Sequence, residues 1–269
     1  MPVLENALYG IRRLEDLSSG ASPIHRLHPA AKLAATAAFV AVVVSFPRYE
    51  LTGLVPFVLY PTVMLVLADL PVREILSRLL WAAPFVLFIG LANPFFDRAP
   101  LLHLGHITVT AGWLSFSSLA LRFFLSMTAI LVLIATSGLV PLCAYLSRFR
   151  LLRPFASVLF FLYRYSFLTL EEAARMVRAH GLRAAGRGIR LREWGGLAGH
   201  LLLRAFDRGQ RVHWAMVCRG FDGSLPMARP RRADWRDLLY FLGWTAFFAA
   251  ARAWNLSRLL GALILGGRG

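Results

Sequence analysis

Two segments of this chain end in arginine and glycine: Glu171 to Gly181, EEAARMVRAHG, and Arg208 to Gly223, RGQRVHWAMVCRGFDG. Arginine presents a planar fork that pairs with a carboxylate through two parallel hydrogen bonds, and it stays charged at any physiological pH, so such ends suit docking into an acidic protein groove. Ordinary capping asks for the same residues, because glycine takes the left-handed position after a helix and the helix dipole favours cations in the last turn. Two such ends in one polar stretch favour docking. On a wheel of His200 to Arg219, Arg204, Arg208, Arg211 and Arg219 fall within roughly 80°, with Ala215 in the gap, and Leu202, Phe206, His213 and Val217 lie opposite. The expectation is an apolar face pressed on membrane-adjacent helices and an arginine face turned to water or an acidic partner. Arg164, Glu171, Arg175 and Arg178 repeat the design in the preceding segment.

Other chemistry is sparse. His103 and His106, with Asp97 nearby, have ligand-like spacing but sit in a predicted outer turn, a weak signal for transient metal contact; no metal site is assigned. His25 and His28 precede the first apolar stretch and are expected to cap or anchor it. Arg122 interrupts an apolar run, where a structural role outweighs a functional one, since a cation is a poor lining for a metal-cation route. The carboxylates Asp69, Glu74 and Asp97 are too scattered for acid–base catalysis, and a Walker-type phosphate loop does not occur, which places any ATPase on another chain.

The elements that must position these residues are apolar helices. With 58% hydrophobic and 16% charged residues in 269, the composition is that of a polytopic membrane protein. Thirty basic residues face fourteen acidic ones, and all but Lys32 of the basic set are arginine. They flank apolar spans, as the positive-inside rule places them, which argues against nucleic acid as a partner. Spans are expected at Pro29 to Phe46, Leu51 to Ala68, Leu79 to Phe96, Leu119 to Val140 and Leu238 to Ala253, the last short with Arg252 snorkelling at its end. Phe155 to Leu170 is also apolar. Were it to span, the arginines at 148, 150 and 153 would lie across the membrane from those at 175 to 192, so it is read as an interfacial helix continuing into Glu171 to His180.

The N-terminus, the turn with Arg73 and Arg78, and residues 141–233 are then cytoplasmic, and the turns at 47–50 and 97–111 are outside. The result is an all-α membrane bundle of about five spans: 1–140 with the first four, 141–233 as cytoplasmic amphipathic coupling helices, and 234–269 with the last. Cys143 and Cys218 fall in the cytosolic part and are expected to be reduced thiols. Residues 1 to 28 lack the apolar core of a cleavable signal peptide. Gly181, Gly186, Gly188, Gly195, Gly196 and Gly199 are read as a flexible or hinged connection between the two polar helices.

Several short pieces, in order, carry a resemblance: HPAAK at His28 to Lys32, Arg122, Thr136-Ser137, Arg164-Tyr165, Glu171-Glu172, MVRAHG and AMVCRGFDG. Together they resemble the transmembrane T components of energy-coupling factor transporters, most of all the cobalt-branch CbiQ-type subunit. The resemblance covers most of the chain. It implies a non-catalytic subunit of the bacterial cytoplasmic membrane, whose two coupling helices end in Ala-Arg-Ser or Ala-Arg-Gly signatures and insert into grooves of two ATP-binding-cassette ATPases. It further implies ATP and Mg2+ on those ATPases, a substrate-binding membrane S component that carries Co2+ or Ni2+, and a small accessory membrane subunit. Arg219 matches the second signature, with Ala215 and Gly220 beside it and Cys218 where alanine is usual. At the first, Ala179-His180-Gly181 stands where Ala-Arg-Gly is expected, so the docking residue is either His180 or Arg178. Arg122, Arg164, Glu171 and Glu172 have supporting roles.

Overall fold

The computed structural model describes residues 18, 20, 22–47, 51–92, 100–104, 107–184, 189–223 and 234–253. Those residues form eight α-helices, one 3-10 helix and a small antiparallel hairpin. They divide into two compact units, one of Leu17–Gly138 with Arg231–Gly269, the other of Leu139–Pro230 with Met1–Asp16.

The first unit begins with α1, Pro29–Val44. Its start is encoded locally: Pro29 has the backbone φ of a first helical residue, and the His28 side chain accepts a hydrogen bond from the Ala30 N–H (3.1 Å to Nδ1). His28 is thus the cap expected of it. The span expected over Leu51 to Ala68 is split. Pro56, which lacks an N–H, lies in a 3-10 helix, Thr52–Val58, and α2 covers only Leu59–Leu67. Asp69 then turns the chain with φ 52°, a left-handed conformation that its short polar side chain tolerates. This carboxylate serves a turn.

The next helix, α3, runs Val72–Gly90, so Arg73 and Arg78, read as part of a turn, belong to its first turns. Glu74 stands beside the positive end of its dipole. A hairpin of β1, Pro100–Leu104, and β2, Ile107–Thr110, replaces part of the expected outer turn. It leads into α4, Ala111–Ser137, whose stretch Gly112–Ser137 is, among the described residues, the one helix long and apolar enough to cross a membrane. Pro29–Val44 and Thr52–Leu67 are apolar but shorter. The unit closes with α8, Trp235–Ala253, which packs on α1.

Its core is aromatic. Phe39 of α1 packs at a tilt against Tyr60 (4.7 Å between centroids) and Phe248 (5.4 Å), and Trp244 meets Tyr60 edge-on at 4.8 Å. Such offset and edge-on pairs suit the ring quadrupoles, and the buried Tyr60 hydroxyl finds its polar partner in Thr36, at 2.9 Å. Many large apolar side chains point outward instead, with Trp81 89% and Phe88 81% exposed on α3. In water such a surface would aggregate; in lipid it is the expected one.

Both ends of α1 are tied by charged groups. At its start, buried Asp237 accepts the His28 N–H and, through its other oxygen, the Asp234 N–H, each at 2.8 Å, and Lys32, also buried, donates to the Thr136 carbonyl at 2.8 Å. At its other end Arg122 donates to the carbonyls of Phe46 (2.9 Å) and Pro47 and to the Ser118 hydroxyl. Arg252 adds a bond to the Ser45 carbonyl (3.3 Å) and lies 4.0 Å over the Phe46 ring, a cation–π contact. Arg122 thus binds the carbonyls of the two residues that follow the cap of α1.

Candidate partner-docking site

The second unit consists of α5, Leu139–Leu146, α6, Arg153–Arg183, and α7, Leu191–Val217, and α6 packs on both of the others. Pro154 sits in the first turn of α6, where its missing N–H is harmless. From there one continuous 31-residue helix joins the stretch read as interfacial to the first arginine segment.

Helices α6 and α7 run antiparallel. Near one end His180 Nε2 lies 3.3 Å from Glu193 Oε2; further along, the Glu172 carboxylate takes hydrogen bonds from Arg175 (2.6 Å) and from Arg204 of α7. Beyond that point an apolar groove of about 400 Å³ opens between Val158, Phe161 and Tyr165 on one side and Gly209, Val212 and Met216 on the other. The hydrogen bonds from Arg175 and then Arg204 hold the Glu172 carboxyl below the usual carboxylate range. The Arg190 N–H, bonded at 2.9 Å, does the same for Glu193 at the start of α7, helped by His180. Depressed carboxylate pKa values give stabilisation that is present in full above the ordinary value and lost as pH falls through the folded one. Protection of the amides in α6 and α7 is accordingly expected to be insensitive to this network from neutral pH down to about 5 and to fall only in stronger acid; Glu172→Gln should remove the Glu172 part of that acid step and leave the Glu193 part.

Three expectations are corrected here. Gly181 does not terminate the first helix: α6 continues through it to Arg183, and Gly181 is not among the described glycines of positive φ. Gly195, Gly196 and Gly199 lie inside α7, so the connection is shorter than read, and Gly186 and Gly188 lie outside the described residues. The face of α7 is also rotated from the one expected. Leu197, Leu201, Arg208, Val212 and Met216 are its half-buried positions, while Leu202, Phe206, His213 and Val217 are exposed. The physical reason is a competing stripe at spacings of four and three, completed by Glu193, which places Arg204 against Glu172. That cross-helix pair and the one between His180 and Glu193 lie beyond the expectations drawn from the sequence; antiparallel pairing of an acid in one helix with a cation in the other is the signal that finds them.

The second signature ends as expected. Gly220 has φ 79°, its N–H donates to the Val217 carbonyl (3.0 Å), and the Phe221 N–H reaches back to Met216 (3.0 Å). This is the pair of bonds of a Schellman motif. A Cβ on Gly220 would meet nothing within 4 Å, so the cost of a side chain there is conformational alone. Gly220→Ala is expected to destabilise this end by about 1–2 kcal/mol, read as roughly tenfold faster exchange at the amides of 220 and 221. Arg219, held just before this turn, is exposed, as are Ala215, Arg178, Ala179 and Arg164; Glu171 and His180 are half-buried. Cys218 is exposed and Cys143 buried, and burial pushes the Cys143 thiol above its usual value.

Among the described residues no group of three or more His, Cys, Asp or Glu could hold a metal ion. His103 pairs with Thr108 in the hairpin register, and His106 and Asp97 lie outside the described residues. Lipid-facing apolar helices, a polar antiparallel pair and two arginine signatures are the features to set against known families. Residues 20–229 match the family CbiQ, cobalt transport protein. The chain belongs to the CbiQ family. It is therefore a membrane component of cobalt transport that acts with other subunits. A search of curated proteins finds no match. The matched region takes in HPAAK, Arg122 and both arginine signatures, so the residues that suggested a CbiQ-type subunit lie within it.

Proposed function

We propose that this CbiQ-family chain is the energy-coupling transmembrane subunit of a cobalt importer, driven by two separate ATP-binding-cassette ATPases and coupled to a substrate-binding membrane subunit. The chain itself is non-catalytic: ATP and Mg2+ bind the ATPases, and Co2+ is cargo selected by the substrate-binding subunit, with a small accessory membrane subunit alongside. The bundle sits in the bacterial cytoplasmic membrane, with its N-terminus and residues 141–233 in the cytoplasm.

The observation that carries the reading is the placement of two exposed arginines on an antiparallel helix pair. Arg178 lies near the end of α6 that adjoins the start of α7, whereas Arg219 lies just past the far end of α7. About two dozen residues at roughly 1.5 Å each separate these ends by roughly 35 Å. One groove cannot grip both, and two ATPases offer two grooves. As ATP binding draws the ATPases together, a rigid rod held at both ends converts their approach into rotation of the pair, the kind of rigid-body motion that reaches neighbouring subunits. Of the two candidates for the first docking residue, Arg178 is favoured, because it is exposed whereas His180 is half-buried.

Cys218 supplies the test. It is exposed and adjacent to Arg219, whereas Cys143 is buried, so a maleimide should label Cys218 readily in the isolated chain while Cys143 stays inert. Assembly with the ATPases should protect Cys218 at least tenfold, and prior labelling should block assembly. Equal labelling rates with and without bound ATPases would refute docking at this end.

A further inference from the structure

The first unit carries a cleft that neither its aromatic core nor the arginine signatures use. It lies between the turns of residues 23–27 and the start of α8 and has a volume of about 750 Å³, within the roughly 300–1,000 Å³ common for small-molecule sites. Arg26 lines it from the turns and Arg236 from α8, and both are exposed. Among the described residues neither guanidinium has a carboxylate partner; that of Arg236 lies 5.7 Å over the neighbouring Trp235 ring. Two acids share the lining. Asp237 is buried, with its two oxygens accepting the His28 and Asp234 N–H groups, whereas Asp234 is exposed and caps the Trp235 N–H through one oxygen (2.8 Å). We infer that this cleft binds the head of a zwitterionic phospholipid bearing a primary ammonium, phosphatidylethanolamine in chemistry, with its phosphate between Arg26 and Arg236 and its ammonium at Asp234.

Three features select that occupant. Guanidinium groups pair with phosphate oxygens through parallel N–H···O bonds, so two of them from separate elements suit one phosphate. An ammonium brings three N–H donors, and the exposed Asp234 carboxylate is the acceptor that answers them. A purely anionic head would meet repulsion there, and a trimethylammonium has no N–H to donate. The acyl chains have a track as well. At about 100° per residue Trp235, Leu238, Leu239 and Leu242 share an arc of roughly 100° on α8; all four are exposed, and Leu239 also lines the cleft. Tryptophan and arginine at the start of an apolar helix are residues of the membrane–water boundary, where long cationic side chains reach the headgroups. This lipid site stands on the chain's being a membrane protein and is independent of where the ATPases dock.

The test titrates the delipidated full chain in detergent with phosphatidylethanolamine, phosphatidylglycerol, phosphatidylcholine or water-soluble phosphoethanolamine, and native mass spectrometry reads the first molecule bound. Phosphatidylethanolamine should bind about fivefold more tightly than either other lipid, the scale of one exposed ion pair. Asp234→Asn keeps an oxygen for the Trp235 N–H and should erase that preference. Arg26→Gln combined with Arg236→Gln, both at exposed positions, should weaken phosphatidylethanolamine by about tenfold, whereas Arg164→Gln, exposed on α6, should leave it unchanged. Equal affinity of the parent chain for the three lipids, or a preference that survives Asp234→Asn, would overturn the proposal. Phosphoethanolamine binding as tightly as the lipid would mark a site for a soluble phosphate ester and overturn the lipid assignment.

Discussion

Arg219→Glu is expected to leave the chain folded and to strip the ATPases from it. The side chain is exposed and outside the helix–helix packing, so reversal removes no core contact, and the Gly220 turn that orients it depends on backbone alone. What changes is the sign of a charge that a groove is proposed to neutralise. Losing one partner of an interfacial charge pair costs about 2–5 kcal/mol, and at about 1.4 kcal/mol per decade that is at least tens-fold in affinity and commonly thousands-fold. Co-purification measures this, and size exclusion confirms that the variant is folded. Arg219→Lys should bind at an intermediate level, because an ammonium keeps the charge and loses the planar fork. Arg178→Glu combined with Arg219→Glu should abolish ATP-driven cobalt uptake, and persistent uptake would contradict the lever mechanism.

The second large effect falls on stability. Lys32 is 1% exposed and Asp237 6%; the two interact electrostatically, and each is also hydrogen-bonded to backbone groups. Lys32 reaches from α1 to the end of α4, while Asp237 joins the starts of α1 and α8. Lys32→Met fills a similar volume but leaves the buried Thr136 carbonyl without this donor. Leaving a buried acceptor without its hydrogen-bond partner costs about 1–3 kcal/mol. The yield of monodisperse protein and its thermal midpoint should both drop sharply, whereas Arg164→Met, at an exposed position on α6, should change neither. A Lys32→Met chain as stable as its parent would show that Lys32 does not pin these helices.

The pairings inside each unit explain where sequence reasoning stops. His28 as a cap and Gly220 as a left-handed turn are legible because capping is local: the residue that makes the bond lies within a few positions of the group it satisfies. Arg122 is legible in kind, since a partly buried cation in an apolar run must find acceptors, though its partners Phe46 and Pro47 are some 75 positions away. The first helix end departs from expectation because Arg and Gly near an end are permissive for a stop and do not force one; Leu182 and Arg183 carry the helix on. Span limits fail at Pro56 and at Arg73 for a related reason. Hydropathy measures transfer to lipid, not where a backbone hydrogen-bond ladder starts or stops.

The sequence by itself determined that this chain is an apolar helical membrane protein, that its arginines concentrate on one polar stretch, and that two signatures of a CbiQ-type subunit stand in order, because composition, charge placement and local motifs are written residue by residue. Only the tertiary structure decided which face of α7 meets α6, that Glu172 is clasped by Arg204, that His180 is half-buried while Arg178 is exposed, and that Lys32 and Asp237 fasten three helices. Those outcomes depend on which two apolar stripes find each other. A helix with more than one such stripe has alternatives that no single helix can rank, and the choice is made by the partner it packs on.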